Sequence, residues 1–235
     1  MDSHVLVGVP CYGQIAKETV VNGVFQASNR PGLVEFNFAE GSALGFVFNR
    51  IWVTALGMPA VTHFVMLHAD VVPEPGYVDK LLEIADREKA DIVSAVIPIK
   101  TTQGATSTAI GDIGDPWKNK KRFTMREIMD LPPTFDAERA GFSGDPLLVN
   151  TGCLLVDIRN QKFRAIDGNG NMKFYFTLQD RIRVSMPNVY AEFIPEDWNF
   201  SRLAFDAGMK VVATREIRVE HMGKYEFPND CAWGD

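Results

Sequence analysis

Cysteine is scarce in this chain: Cys11, Cys153 and Cys231 are the three among 235 residues, far apart, odd in number and without a C-x-x-C spacing. That excludes a disulfide framework and a zinc knuckle, and it suits a reducing compartment. Long apolar runs are missing too, since none approaches the roughly 18 residues a membrane span needs. The chain enters a strand almost at once, with no basic and apolar leader, so a soluble cytoplasmic protein with no membrane partner is expected. Positive charge is in deficit, 24 Lys and Arg against 30 Asp and Glu, for a net charge of −6 and a pI near 5.3. General affinity for a polyanion such as duplex DNA is thereby disfavoured, and only a local basic patch remains open. Internal repeats and low-complexity segments are absent.

What is present is an ordinary globular interior, 46% apolar, in a length that suits one large α/β domain. The chain is organised around FVMLHADVVPEPGY, Phe64 to Tyr77. Phe64 to Leu67 has the continuous apolar character of a strand buried on both faces in a parallel sheet. The run stops at His68-Ala69-Asp70, at the strand's carboxyl end, where open α/β sheets bind ligands. Pro73 and Pro75 then hold the chain extended until a helix starts near Tyr77.

Around this centre the order is regular. Val5 to Val9 reads as a first strand, followed by Pro10-Cys11-Tyr12-Gly13 and a helix starting near Ile15, with Val20, Gly23, Val24 and Ala27 on one face. Leu33 to Phe38 alternates as a second strand. Leu44, Val47, Phe48, Ile51 and Ala55 then trace an amphipathic helix whose polar Asn49 and Arg50 face solvent or a ligand pocket. After the helix from Tyr77, Ile92 to Ile97 is a fourth strand. Three βα units in succession imply a parallel sheet with right-handed crossovers, so residues 1–100 are expected to form the nucleotide-binding half.

Periodicity fades from Thr101 to Asp145. Residues 101–148 are expected to be a variable insert over the site or a plain surface excursion. Its basic Lys118 to Arg122 run is compatible with phosphates, an acidic acceptor or a merely solvated face. Strand character returns over Val149 to Val156, with Gly152 allowing close backbone approach. The turn chemistry of Asp167-Gly168-Asn169-Gly170 suggests a hairpin across Phe163 to Leu178. Glu196-Asp197 opens a helix carrying Phe200, Leu203, Ala204 and Ala207, with Asp197 placed as its N-cap. Short strands over Lys210 to Ala213 and Ile217 to Val219 lead to Glu220-His221-Met222-Gly223. Residues 149–235 thus make the acceptor and catalytic half of the same domain.

Taken in order, Pro10-Cys11-Tyr12, His68-Ala69-Asp70, Asn150-Thr151-Gly152, Glu196-Asp197 and His221-Met222-Gly223 resemble nucleotide-sugar glycosyltransferases of the GT-A fold, family-2 type. The most specific stretches are FVMLHADVVPEPGYVDKLLE and EDWNFSRLAFDAGMKVVATREIRVEHMGKYEF. The resemblance implies a Rossmann-like, mixed but mainly parallel sheet flanked by helices in a single domain. It implies transfer of a sugar from a nucleoside-diphosphate sugar, a UDP-sugar foremost, to a hydroxyl acceptor with inversion. Asp70 and His221, with His68, become the ligands of a Mn²⁺ or Mg²⁺ ion; oxygen ligands suit either metal and an added imidazole favours Mn²⁺. Such a cation would stabilise the charge developing on the leaving diphosphate. The departure from pattern is His68, which stands where the family more often has a first aspartate and removes one negative charge.

By the same resemblance Asp197 is the base that activates the acceptor, a role compatible with capping, and Glu196 orients it. Trp198 is an acceptor platform or a core tryptophan. Pro10, Cys11, Tyr12, Glu40, Arg50, His68, Ala69 and Gly152 belong to the donor site, with Tyr12 as a stacking face and Arg50 toward the diphosphate. The acceptor stays open among a glycan, a protein hydroxyl, a small molecule and a modified nucleic-acid base. Two other readings compete: a non-catalytic nucleotide-sugar-binding module, made conceivable by His68, and a sugar-phosphate nucleotidyltransferase. The second lacks its usual glycine-rich basic loop, because VGVPCYGQIAKE follows the first strand instead.

Overall fold

The computed structural model describes residues 3–223 and 226–233. In chain order it contains β1 (Val5–Cys11), β2 (Val34–Glu40), α1 (Leu44–Gly57), β3 (His63–Leu67), β4 (Val71–Pro73), α2 (Tyr77–Glu88) and β5 (Ile92–Ala95). These are followed by β6 (Ala105–Gly111), β7 (Asn119–Thr124), α3 (Met125–Asp130), β8 (Thr134–Phe135), β9 (Leu147–Leu148) and β10 (Cys153–Asp157). The remainder comprises β11 (Gln179–Ser185), β12 (Asn188–Ile194), α4 (Glu196–Asp206), β13 (Val211–Thr214), β14 (Val219–Met222) and β15 (Glu226–Pro228).

The central sheet has seven strands in the order β2-β1-β3-β10-β5-β13-β8. β1 pairs parallel with β2 and β3, and β5 with β13, whereas β10 runs antiparallel between β3 and β5 and β8 antiparallel at the edge. The fold is therefore the Rossmann-like, mixed and mainly parallel α/β sheet that the sequence predicts. Strict alternation along the strands sorts side chains into two layers. Leu6, Phe64, Met66, Leu154 and Val156 join α1, α3 and α4 on one face. Val5, Val7, Val65, Leu67, Val93 and Leu155 join α2 on the other. All five residues of β3 are buried, as a strand covered on both sides requires.

Trp52 centres the first layer. Its ring lies 5.4 Å from that of Phe64 and 5.7 Å from that of Phe200, both edge-on, while its indole N–H donates to the Phe174 carbonyl at 2.9 Å. Next to it, the Asn49 amide donates to the Phe176 carbonyl and accepts from the Phe176 N–H, at 2.7 and 2.8 Å. Asn49 thus acts as a one-residue strand edge while, half-buried, it also lines a cleft with Trp52, Val53 and Tyr175, in keeping with its expected place toward solvent or a pocket. Arg50 beside it is exposed, and so is Leu44 at the head of the expected apolar stripe.

Three further expectations are corrected. The helix expected from about Ile15 is a short π-type turn, Thr19–Phe25, because the preceding residues cross the sheet's rim and bind there, Ala16 N–H donating to the Ala69 carbonyl at 2.8 Å. Residues 101–145 are not irregular: β6, β7 and β9 form their own antiparallel sheet, and register shifts at Ala105/Ala109 and Ile110/Gly111 explain why no alternation shows. Helix α3 in that segment opens with a complete capping box between Thr124 and Glu127, a T-x-x-E signal that the sequence carries. The hairpin expected across Phe163 to Leu178 is one bridge, Ile166 to Met172; the true hairpin is β11–β12, where Arg181 and Arg183 alternate with Ile182 and Val184.

Among the described residues no helix is long and apolar enough to cross a membrane, and all three cysteines are free thiols. Removing the central indole should leave a cavity that the surrounding phenylalanines cannot close, so Trp52→Ala is expected to cost about 3–5 kcal/mol in urea unfolding. A loss below about 1 kcal/mol would mean that Trp52 does not hold this layer.

Candidate functional site

Three pairings bring the predicted residues to one edge of the sheet. Parallel β1 and β2 end together, Pro10 opposite Ala39 and Cys11 opposite Glu40. Tyr12 follows immediately and is 78% exposed, its ring available from solvent. Antiparallel β10 sets Cys153 against Leu67, so Gly152 lies opposite His68 and its carbonyl accepts the His68 N–H at 2.9 Å. A methyl group at Gly152 would meet the Asn150 side chain at 2.6 Å and Val71 at 3.2 Å, which explains glycine at this crossing. Antiparallel β14 pairs with β4, His221 opposite Val71, and the Met222 N–H donates to the Asp70 carbonyl at 2.7 Å.

This last pairing places His221 Nε2 3.5 Å from Asp70 Oδ2. The other imidazole nitrogen, Nδ1, donates to the Pro98 carbonyl at 2.7 Å, which fixes the ring's orientation. A third group, unforeseen from the sequence, completes the cluster: the Lys100 ammonium donates to Asp70 Oδ2. Burial opposes ionisation of Asp70, but the hydrogen bonds from His221 and Lys100 outweigh it and hold the carboxyl well below the usual carboxylate range.

His68 is arranged differently. Its Nε2 meets the Thr151 hydroxyl at 3.1 Å and its ring packs 5.1 Å from that of Phe48. Burial pushes the imidazole down to about 4, against the pull of Asp70, so it is neutral at physiological pH. Among the described residues no three His, Cys, Asp or Glu side chains converge on a point that would hold a metal ion. For Mn²⁺ or Mg²⁺ there are two side chains, Asp70 and His221, and the first already carries an ammonium. The donor set fits a divalent cation poorly.

Asp197 sits within the first turn of α4, 8% exposed. It is not the N-cap: that position is Pro195, and no side chain caps the helix. Instead Asp197 Oδ1 accepts the Trp198 N–H at 2.7 Å and Oδ2 accepts the Asn150 amide at 3.2 Å. Burial, reinforced by the neighbouring charge of Glu196 and only partly offset by those two donors, raises its carboxyl to about 7. Asn150 also accepts the Gly152 N–H at 2.6 Å. The segment 150–152 therefore connects Asp197 to His68 and, through the β3–β4 turn, to Asp70 and His221.

Beside Asp197 opens a cavity of about 370 Å³ lined by Trp198, Trp117, Arg122, Ser107, Phe193 and Pro195. The Trp198 indole N–H donates to the Ser107 carbonyl at 2.8 Å, and the Arg122 guanidinium lies 5.4 Å above its ring. Residues of the 101–148 segment thus frame this cavity. The rest of its basic run is neutralised: Lys118 pairs with Asp115, Lys120 with Asp145 and Lys121 with Glu127. Arg50 lies on the exposed side of α1 and does not line this cavity. A larger cleft, about 590 Å³, lies beside Asn49, Trp52, Val53, Asp167, Met172 and Tyr175 and contains none of the expected donor, metal or catalytic residues.

Asn150, Thr151, Arg122 and Lys100 are the site residues that sequence reasoning misses as individuals. The Asn-Thr-Gly triplet is visible as a motif and Arg122 as the end of the basic run, but nothing local marks Lys100.

No protein-family model and no curated protein matches the sequence. Among solved structures the fold is similar to that of A197 from STIV, with a TM-score of 0.55 and 14% identity, over 94% of this chain and 86% of that one. GalNAc-T7 crystallised with UDP, GalNAc and Mn²⁺ aligns with a TM-score of 0.48 and 11% identity, over 96% of this chain and 44% of that one.

The raised carboxyl of Asp197 has a signed consequence for stability. Its ordinary value is 3.8 and its folded value about 7, so the fold holds the proton more tightly than the unfolded chain does. That contribution is complete below about pH 4 and is lost as pH rises through about 7. Asp197→Asn, neutral throughout, should therefore gain on the wild type in urea unfolding as pH rises between those limits, by about 1.4 kcal/mol for each tenfold fall in proton concentration. A wild-type-to-variant difference that stays constant with pH would contradict the assignment.

Proposed function

We propose that the protein is a glycosyltransferase of GT-A type, moving a sugar from a nucleoside-diphosphate sugar to a hydroxyl acceptor with inversion. The observation that carries this reading is the separation of two unlike carboxylates along one rim. Asp70 is ionised and paired with the Lys100 ammonium beside His221, where a diphosphate's charge would need company, and Asp197 is buried with its carboxyl near 7 beside an open cavity. Pairs of acids whose environments push them apart are the usual mark of divided chemical roles.

In this reading the donor, a UDP-sugar foremost, lies along the ends of β1, β2 and β3. Tyr12 offers a face for the base, Glu40 and Cys11 border the ribose, and Pro10, His68, Ala69 and Gly152 form the floor. Arg50, exposed on α1, would reach the diphosphate only through a change of conformation. Neutral His68 accepts or donates one hydrogen bond without adding charge. Asp197 is the base: with its proton lost, it takes the proton of the acceptor hydroxyl as that oxygen attacks the anomeric carbon and the bond to the diphosphate breaks. A carboxyl near 7 is well matched to that task at neutral pH. Glu196 tunes it by charge, and Asn150 and the Trp198 N–H hold its two oxygens. Trp198, with Trp117 and Arg122, supplies the acceptor wall, on which a sugar ring or another flat apolar face packs. Asp70 and His221, the residues expected to hold Mn²⁺ or Mg²⁺, fit such an ion poorly, and the proton transfer at Asp197 does not involve one.

The test is a panel of UDP-, GDP- and TDP-sugars, with and without Mn²⁺, read by thermal shift and by slow donor hydrolysis. At least one donor should stabilise the protein and be hydrolysed; silence across the panel would remove the transferase reading. Turnover should rise with pH through about 7, and Asp197→Asn should lower it by at least about 100-fold while donor binding survives. Donor binding without any turnover would favour a non-catalytic binding module.

A further inference from the structure

Among the described residues the Asp70 cluster contains one carboxylate, the Lys100 ammonium and no second acid. Lys100 reaches it from the chain just beyond β5, two residues after the Pro98 carbonyl that orients His221. One short segment therefore sets both the imidazole and the ammonium against the same carboxylate. Neither partner is sealed in: the Lys100 side chain is 33% exposed and that of Asp70 44%, so a ligand's oxygens can approach the ammonium while it stays anchored. A divalent ion seeking Asp70 would meet that ammonium first, with no second carboxylate among the described residues to offset the repulsion. His68, two residues before Asp70, has its Nε2 engaged by the Thr151 hydroxyl at 3.1 Å and so is already partnered away from the carboxylate.

We propose that Lys100 is the resident cation of this site: its ammonium, held on Asp70 beside His221, takes up the charge of a nucleoside diphosphate, which therefore binds without a divalent metal. A lysine is a compact point charge with three donors, suited to bridge an anchoring carboxylate and phosphate oxygens at once. His221, oriented by Pro98, adds a hydrogen bond at the same edge. The inference rests on the nucleotide-sugar reading given above and assigns its diphosphate-binding charge to a side chain.

The experiment is calorimetric titration of UDP and of GDP into the wild-type protein, Lys100→Met and Lys100→Arg, each in EDTA and each in Mn²⁺. Thermal unfolding confirms that the variants fold. The wild type should bind one of the nucleotides with affinities in EDTA and in Mn²⁺ that agree within about twofold. Lys100→Met should lose about tenfold or more in EDTA, the order of one charge-assisted contact, while Lys100→Arg keeps most of the affinity. Wild-type binding that collapses in EDTA would overturn the role of Lys100 and leave the transferase reading standing. Unchanged binding by Lys100→Met would overturn it as well. No binding of either nucleotide under either condition would overturn both.

Discussion

The site depends on the short antiparallel pairing of β14 with β4. β4 is three residues long, and yet its register places His221 opposite Val71 and ties the Met222 N–H to the Asp70 carbonyl. Because strand side chains alternate between faces, a slip of one residue would turn the imidazole away from the carboxylate. The pairing is held at its Val219–Pro73 end. Asn229, fully buried, donates its side-chain amide to the Val96 and Ile217 carbonyls and accepts the Val219 N–H. Glu74, just after β4, accepts the Arg218 N–H at 3.0 Å.

A second antiparallel element performs the same service on the other side. β10 enters between β3 and β5, breaking the parallel order of the sheet, and in doing so delivers the Asn150-Thr151-Gly152 turn to the end of β3. Thr151 occupies His68, Asn150 holds Asp197, and Gly152 permits the close crossing. The chain's second half thus supplies partners to the first through two antiparallel insertions. The resulting electrostatics are divided: the open rim keeps Asp70 ionised among donors, and the buried helix start keeps Asp197 protonated until about neutrality. Asn150 touches Asp197 directly and Asp70 lies across the β3–β4 turn from this segment, and their environments act on the two carboxylates in opposite directions.

Much of this arrangement is legible in the residues. Phe64 to Leu67 announces a doubly covered strand, the three βα units announce the sheet, and His68, Asp70, Gly152, Asp197 and His221 stand out as chemistry-bearing types at strand or helix ends. What escapes has physical causes. The β6–β7 hairpin is bulged, so its alternation is broken, and the β11–β12 ribbon is overshadowed by denser turn residues at Asp167 to Gly170. The capping assignment of Asp197 fails by two positions because Pro195 already supplies the helix entry. Lys100 is invisible: a single lysine after Ile97-Pro98-Ile99 acquires meaning only when β14 brings His221 to Asp70 beside it.

The most direct measurement is a crystal structure of the protein with UDP bound in the presence of a chelator. The diphosphate is expected against Lys100 and His221, the uracil toward Tyr12 and Glu40, and the cavity beside Asp197 on the side where the acceptor would enter. A nucleotide seated in the cleft beside Trp52 and Tyr175, or a Lys100 side chain swung away from a bound diphosphate, would contradict the assignment of this rim as the donor site.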